Sequence, residues 1–358
     1  MTTKEEIKSS ETILEGFLSN YFVIAGMVVI FSFSFLFQLF FENLDEIFIS
    51  TILRNEFLRP ICDPFWLVVY WGTVAIFFLA IAVYFVFDNK RGMGLAVVAI
   101  VVLGGLFLGD ALKSFFGLFG IQRPDIPINW IPDFYADFLP TRTETSDFPG
   151  QSVLVPAALS VYFYLKNPKK WKKVIFPIYV VLMMLARPYV GVNHLSANIA
   201  GTILGIYIGL LVYNYTPKVR QLEIFKSKII KFVAAVGVFG LMIIIYTTQR
   251  PFLIEPAQGV DLDVRMFMMV LGGFIGLSLT EYPKELKFQL DSLKTKAIHI
   301  SSIIICYIVL FGLYILTLIL GPTLLWLGII IGFFDGLWIA IGGPLLVEYL
   351  NKENIIQT

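Results

Sequence analysis

The sequence predicts an all-α, polytopic membrane helix bundle of nine or ten spans. Three observations predict it. Apolar residues make up 58% of the chain and charged residues only 15%, against about 25% charged in an ordinary soluble domain. Ten apolar stretches reach or approach the ~20 residues a helix needs to cross the hydrocarbon core. Finally, lysines and arginines concentrate in alternate loops between those stretches, as the positive-inside rule requires.

The stretches are residues 21–41, 64–87, 92–112, 148–165, 174–191, 195–216, 230–249, 264–280, 298–320 and 324–347. The fifth and eighth are short, and Gly321-Pro322-Thr323 leaves a tight break before the last, which is why the count is nine or ten. The segment Met1 to Asn20 mixes Lys4 and Lys8 with Glu5, Glu6, Glu11 and Glu15. It lacks the layout of a signal peptide, so the apolar run after it reads as an uncleaved span. The longest polar connections, 42–63 and 120–147, have neither the length nor the periodicity of a soluble domain.

Assigning alternate loops to opposite sides places 19 basic residues with the N-terminus and eight on the other face. Both termini are therefore expected in the cytoplasm, in a cell membrane. The net charge of +1 identifies no partner, and no nucleic-acid partner is expected. Cys62 and Cys306 are isolated, with no metal-ligand spacing, and read as small apolar-compatible residues. No metal and no cofactor are expected, and the oligomeric state is left open.

The eight outer basic residues are Arg54, Arg59, Lys113, Arg123, Arg142, Arg187, Arg250 and Arg265. Lys113, Arg123 and Arg187 lie at or beside span ends, on the same face as His194. His299 opens the ninth span on the cytoplasmic side and reads as a capping or interfacial residue. Asp335, within the last span, is an intramembrane acid expected to pair inside the bundle, with an ion path as the alternative.

His194 is one of two histidines and sits between two apolar segments, in Arg187-Pro188-Tyr189-Val190-Gly191-Val192-Asn193-His194. Ionisable groups at the bilayer edge are costly to place, so they are read as functional. Asp147-Phe148-Pro149-Gly150-Gln151-Ser152 opens the fourth span, and its Pro and Gly mark a helix N-terminus. Backbone N–H groups there favour an anion. Three cations, a helix N-terminus and a histidine are what a phosphate group requires: donors for its oxygens and a nucleophile in line.

The order Lys113, then Arg123-Pro124, then Pro149-Gly150-Gln151-Ser152, then Arg187 and His194 with Asn198, resembles the type-2 phosphatidic acid phosphatase family over roughly residues 90–216. The resemblance implies a membrane-embedded, metal-independent enzyme that hydrolyses lipid phosphates through a phosphohistidine. It also implies a division into N-terminal spans with an outer loop (1–89), a phosphatase-like core bundle (90–216) and additional C-terminal helices (217–358).

This sequence departs from the family pattern in three places. Nine residues separate Lys113 from Arg123 where the family usually has six, a difference of about 4.5 Å of helical rise. Aligned without gaps, Gly150 takes the family's serine position, Gln151 the glycine position and Ser152 the position of its first histidine. One extra residue lies between Arg187 and His194, and Asn198 stands where the family has aspartate. A strict alignment on Arg187 would instead put Asn193 on the histidine.

By the resemblance, His194 attacks phosphorus and Asn198 fixes its ring. Lys113, Arg123 and Arg187 hold the phosphate oxygens, together with backbone N–H groups around Gly150 and Gln151. Ser152 stands in for the missing acid. The expected substrate is a lipid phosphate or diphosphate, isoprenoid carriers being favoured because a diphosphate leaving group needs less acid assistance. The alternatives are a catalytically inactive family member that binds a lipid phosphate or a partner, and a transporter or lipid translocase.

Overall fold

The computed structural model describes residues 21–53, 91–121, 146–191, 193–221, 291–320 and 325–352, with scattered positions elsewhere. Arg123 and Cys62 lie outside the described residues, as does most of the expected spans 64–87, 230–249 and 264–280.

The helices are α1 (Tyr21–Phe48), α2 (Arg91–Val98), α3 (Asp110–Gly117), α4 (Gln151–Lys166), α5 (Lys172–Val190), α6 (Leu195–Gln221), α7 (Leu293–Leu320), α8 (Leu325–Leu337) and α9 (Gly343–Leu350). Wider, π-helical winding follows α1 at Ile49–Leu53, joins α2 to α3 at Ala99–Gly109, and joins α8 to α9 at Trp338–Gly342. One antiparallel pairing of two-residue strands, Lys287–Phe288 with Ile355–Ile356, qualifies the all-α expectation. Among the described residues, four helical stretches are long and apolar enough to cross a membrane: Tyr21–Leu53, Leu195–Tyr215, Leu293–Leu313 and Ile330–Leu350. The 16 residues of α4 fall short of the ~20 that a perpendicular crossing takes.

The chain divides into two compact units, residues 1–79 with 98–215, and residues 80–97 with 216–358. In the first unit, α1 is built inside out. Ser34, Gln38 and Asp45 are buried, whereas Val28, Val29, Phe33, Leu36 and Phe40 are exposed. A water-facing helix would bury the second set and expose the first, so this face is made for lipid. On the buried side, Phe31, Phe35 and Leu39 of α1 pack on Phe116 of α3, Phe148, and Ala197 and Ala200 of α6. The Phe116 and Phe148 rings meet edge to face with centroids 4.9 Å apart, an arrangement the aromatic quadrupole favours.

Helices α4 and α6 approach at backbone distance. A methyl group added to Gly201, Gly205 or Gly209 of α6 would overlap the carbonyl oxygen of Gly150, Leu154 or Ala158, respectively. Both series advance by four residues, so one stripe of α6 lies along one stripe of α4. Small-xxx-small packing of this kind serves where lipid removes the hydrophobic drive between helices. Helices α4 and α5 form a hairpin in which Lys172 Nζ donates to the Phe163 carbonyl, 2.9 Å away, in the last turn of α4. Gly191 ends α5 in the left-handed region at φ 81°, where a residue with a Cβ is strained. The chain turns there to deliver Asn193 and His194 to the start of α6.

In the second unit, Cys306 and Ile303 of α7 pack with Val347 of α9, Val83 and Phe87. Trp338 Nε1 donates to the Cys306 carbonyl at 3.1 Å. Ser292 and Thr295 cap α7 reciprocally, each backbone N–H meeting the other's hydroxyl oxygen at 3.2 and 3.0 Å. His299 is buried beside the Phe288 ring. Asp335 is buried, and its Oδ1 accepts no hydrogen bond among the described residues, so the described residues show no partner for that oxygen where pairing was expected.

Candidate active site

The segment Asp147 to Ser152 is the spine of the site. It enters α4 through Pro149 and Gly150, is anchored by the buried Phe148 ring, and carries groups that meet α1, α3, α5 and α6.

At its front end, Asp147 meets His194. Asp147 Oδ2 accepts from the His194 backbone N at 2.6 Å and lies 3.0 Å from its Nδ1. Gln38 Nε2, from α1, donates to Asp147 Oδ1 at 2.6 Å and lies 2.9 Å from Nδ1. A carboxylate can only accept, so the proton of the ring belongs on Nδ1 and the lone pair of the neutral ring on Nε2. Nε2 is buried and makes no hydrogen bond among the described residues; Glu46 Oε1 is 3.9 Å from it.

His194 precedes the span that starts at Leu195. Burial opposes its charge, but the hydrogen bond and charge of Asp147, with Asp45 and Glu46 further off, outweigh that. The ring is held above its ordinary value of 6.5.

Asp45, one helical step from Glu46, caps α6 from outside. Its oxygens accept from Leu195 N at 3.1 Å, Ser196 N at 3.0 Å and Ser196 Oγ at 2.6 Å. Two carboxylates, Asp45 and Asp147, thus fill the positive end of α6.

The start of α4 is arranged in the opposite way. Its N-cap residue, Gly150, makes no side-chain cap. Lys113 Nζ donates to Gln151 Oε1 at 3.0 Å, and Arg187 Nε donates to Ser152 Oγ at 2.7 Å. Gln151 is steadied by its own Nε2, which donates to the Gly105 carbonyl at 2.7 Å. Two cationic side chains therefore converge on adjacent residues at the positive end of a helix. A phosphate bound there would be favoured by both charges and by the helix terminus.

Several expected roles are redistributed. Asn198 was expected to fix the His194 ring, but its Nδ2 donates to the Met184 carbonyl at 3.0 Å. Asp147 stands at the ring instead, because the turn after Gly191 brings His194 to the entry of α4. Gly150 was expected to offer its N–H to phosphate, but that N–H donates to the Ala197 carbonyl at 2.7 Å. Its missing side chain is what lets Asn198 pack against it. Ser152, in the acid's place by alignment, accepts from Arg187, and Gln151 serves as the seat of Lys113.

Gln38, Asp45, Glu46 and Asp147 carry no role in the sequence reading. A signal for them existed: Gln38 and Asp45 are seven residues apart, on one face of an otherwise apolar helix. Among the described residues, no group of His, Cys, Asp and Glu side chains is arranged as a metal site would need.

No curated protein and no solved structure matches the chain. Residues 93–221 of the 358 match the family model of the PAP2 superfamily. That superfamily consists in general of phosphatases, which supports phosphoric ester hydrolysis as the coarse activity. Among the described residues, four helical stretches of the length and apolarity that integral membrane proteins use accompany the match. Over the matched residues, the chain is similar to the type-2 phosphatidic acid phosphatase family.

Proposed function

We propose that the protein is a membrane phosphatase or phosphotransferase acting on a lipid phosphate or diphosphate at the extracytoplasmic face, through a phosphohistidine at His194. The observation that carries the proposal is the pairing of Lys113 with Gln151 and of Arg187 with Ser152 at the start of α4. Four residues separate Ser152 from Asp147, which is bonded to the histidine. In this reading Lys113 and Arg187 hold the phosphate oxygens and stabilise charge in the transition state. His194 Nε2 attacks phosphorus, and Asp147 stabilises the imidazolium-like ring while Gln38 steadies Asp147. The carboxylate that Asn198 does not supply comes from Asp147. Arg123 joins the cations by the resemblance, and the inner division of the chain at about residues 90 and 216 belongs to the same reading.

Purified protein in mixed micelles should release phosphate from phosphatidic acid or an isoprenyl diphosphate without added metal. Release should vanish in His194→Ala; release that persists in that variant defeats the mechanism.

A second reading is favoured by one observation: Nε2 is buried, with a carboxylate oxygen 3.9 Å away. An approaching anion would meet that charge. In this reading the protein binds a lipid phosphate through Lys113 and Arg187 and does not turn it over. Saturable binding of phosphatidic acid, lost in Arg187→Ala, with no phosphate released over hours, would establish it.

A further inference from the structure

We infer that the hairpin joining α4 to α5 is a docking surface for anionic lipid headgroups, its lysines meeting the phosphodiester of a lipid such as phosphatidylglycerol. The inference does not depend on the proposed phosphatase activity. The hairpin lies at the end of α4 remote from the contacts of Lys113 and Arg187. The 16 residues from Gln151 to Lys166 rise about 24 Å at 1.5 Å each.

Five lysines fall within the eight residues Lys166 to Lys173, and no Asp or Glu occurs from Phe148 to Leu222. Two of the lysines brace the turn. Lys172 Nζ donates to the Phe163 carbonyl and stands 5.7 and 5.9 Å from the centres of the Trp171 and Phe176 rings. Lys173 Nζ stands 5.9 Å from the centre of the Tyr164 ring, within reach of a cation–π attraction. Backbone bonds from Lys172 N to the Lys169 carbonyl at 3.0 Å, and from Lys173 N to the Lys170 carbonyl at 3.2 Å, order the chain between them. Lys166, Lys169 and Lys170 are presented outward from this turn. Among the described residues, none of the three forms an ion pair with a carboxylate.

The neighbouring apolar side chains select a lipid among anionic partners. Trp171 is 50% exposed, and Val174 and Ile175 in the first turn of α5 are 59% and 53% exposed. Trp concentrates where headgroups meet acyl chains, because its ring is apolar and its N–H is polar. A soluble polyanion would use the ammonium groups and leave this apolar turn uncovered. An anionic lipid covers both, with its phosphate on the lysines and its glycerol and chains against Trp171, Val174 and Ile175. Basic clusters beside a membrane gather anionic lipid in this way, each lysine contributing about 5-fold.

The test reconstitutes the full-length chain in phosphatidylcholine bilayers and reads quenching of Trp171 by brominated lipid. The Trp171 signal is taken as the difference from Trp171→Phe, because the chain holds six tryptophans. Brominated phosphatidylglycerol should associate with Trp171 about 5-fold or more tightly than brominated phosphatidylcholine. The preference should fall toward one in the triple variant Lys166→Gln, Lys169→Gln, Lys170→Gln, which spares the two bracing lysines, and in high salt, which screens exposed charge. Phosphatidylglycerol is a diester, so hydrolysis of a terminal phosphate does not consume it. Arg187→Ala should keep the preference, since Arg187 belongs to the other end of α4. Equal quenching by the two lipids in wild type, or a preference that survives the triple variant, would overturn the inference. So would a preference lost in Arg187→Ala but kept in the triple variant, or displacement of the lipid by a soluble RNA oligonucleotide.

Discussion

Asp147 binds His194 twice with a single oxygen, accepting from its backbone N at 2.6 Å and lying 3.0 Å from its ring Nδ1. The two contacts fix both the position and the rotation of the ring, so Nε2 is aimed by a residue 47 positions away in sequence.

Asp147→Asn tests that relationship. The amide can keep a hydrogen bond but removes the charge and permits the wrong tautomer, a change that costs about 10⁴-fold in a serine protease triad. A comparable loss of kcat, with KM little changed, is expected for phosphate release. The acid limb of kcat/KM carries a second signature. His194 must be neutral to attack, and its ring is held above 6.5, so activity should rise through that raised value as pH increases. In Asp147→Asn the limb should move to lower pH. Unchanged kcat together with an unmoved limb would show that Asp147 does not act on the ring.

The same pair makes stability depend on pH. A histidine whose folded pKa exceeds its unfolded value of about 6.5 stabilises the fold fully below that unfolded value. The contribution fades as pH rises through the raised folded value. Tm measured in detergent should therefore fall as pH rises from 6.5 upward. His194→Asn should lack that part of the slope, and parallel Tm curves for the two proteins would refute the linkage.

Lys113 and Arg187 should act on binding and on the transition state together. A hydrogen bond to a charged group is worth about 1.5–3 kcal/mol, or about 10- to 150-fold. Lys113→Ala and Arg187→Ala are each expected to lower kcat/KM by such factors, and Arg187→Lys to recover only part, because lysine lacks the planar fork. Ser152→Ala should cost less than Arg187→Ala, because the hydroxyl serves the arginine rather than the substrate. Steady-state kinetics on vesicles of phosphatidic acid in a neutral lipid measures the ordering, and the reverse ordering would argue for Ser152 as a reacting group.

Gly205 tests the packing that carries the site. A methyl there would overlap the Leu154 carbonyl, so Gly205→Ala should force α4 and α6 apart and cost about 1–3 kcal/mol, as overpacked cores do. At Gly312 a Cβ meets nothing within 4 Å, so Gly312→Ala should be neutral or stabilising by about 0.5–1 kcal/mol. Thermal unfolding of the two variants in the same detergent reads the difference.

What was legible in the sequence followed from periodicity and cost. Apolar helices announce themselves as apolar runs, and α1, α4, α5, α6 and α7 fall where those runs lie. His194, Lys113 and Arg187 stood out because charge is expensive beside hydrocarbon. Asp147 did not stand out, because an acid before a Pro-Gly helix start looks like an ordinary cap. Its use depends on α6 returning to α4, a tertiary relation set by the small residues of both helices. Asn198 was assigned by spacing along one helix, but that spacing aims it at Met184. Gln38, Asp45 and Glu46 belong to α1, outside the region that resembles the family, and only its packing beside α6 gives them partners.

The most direct measurement is chemical trapping. Protein is mixed with a lipid phosphate carrying radiolabelled phosphorus, quenched in base, where phosphohistidine survives, and digested for peptide mapping. The account predicts up to one labelled phosphate per chain, on the peptide that contains His194, and none in His194→Ala. Label absent from wild type during active turnover, or label retained in His194→Ala, would contradict it.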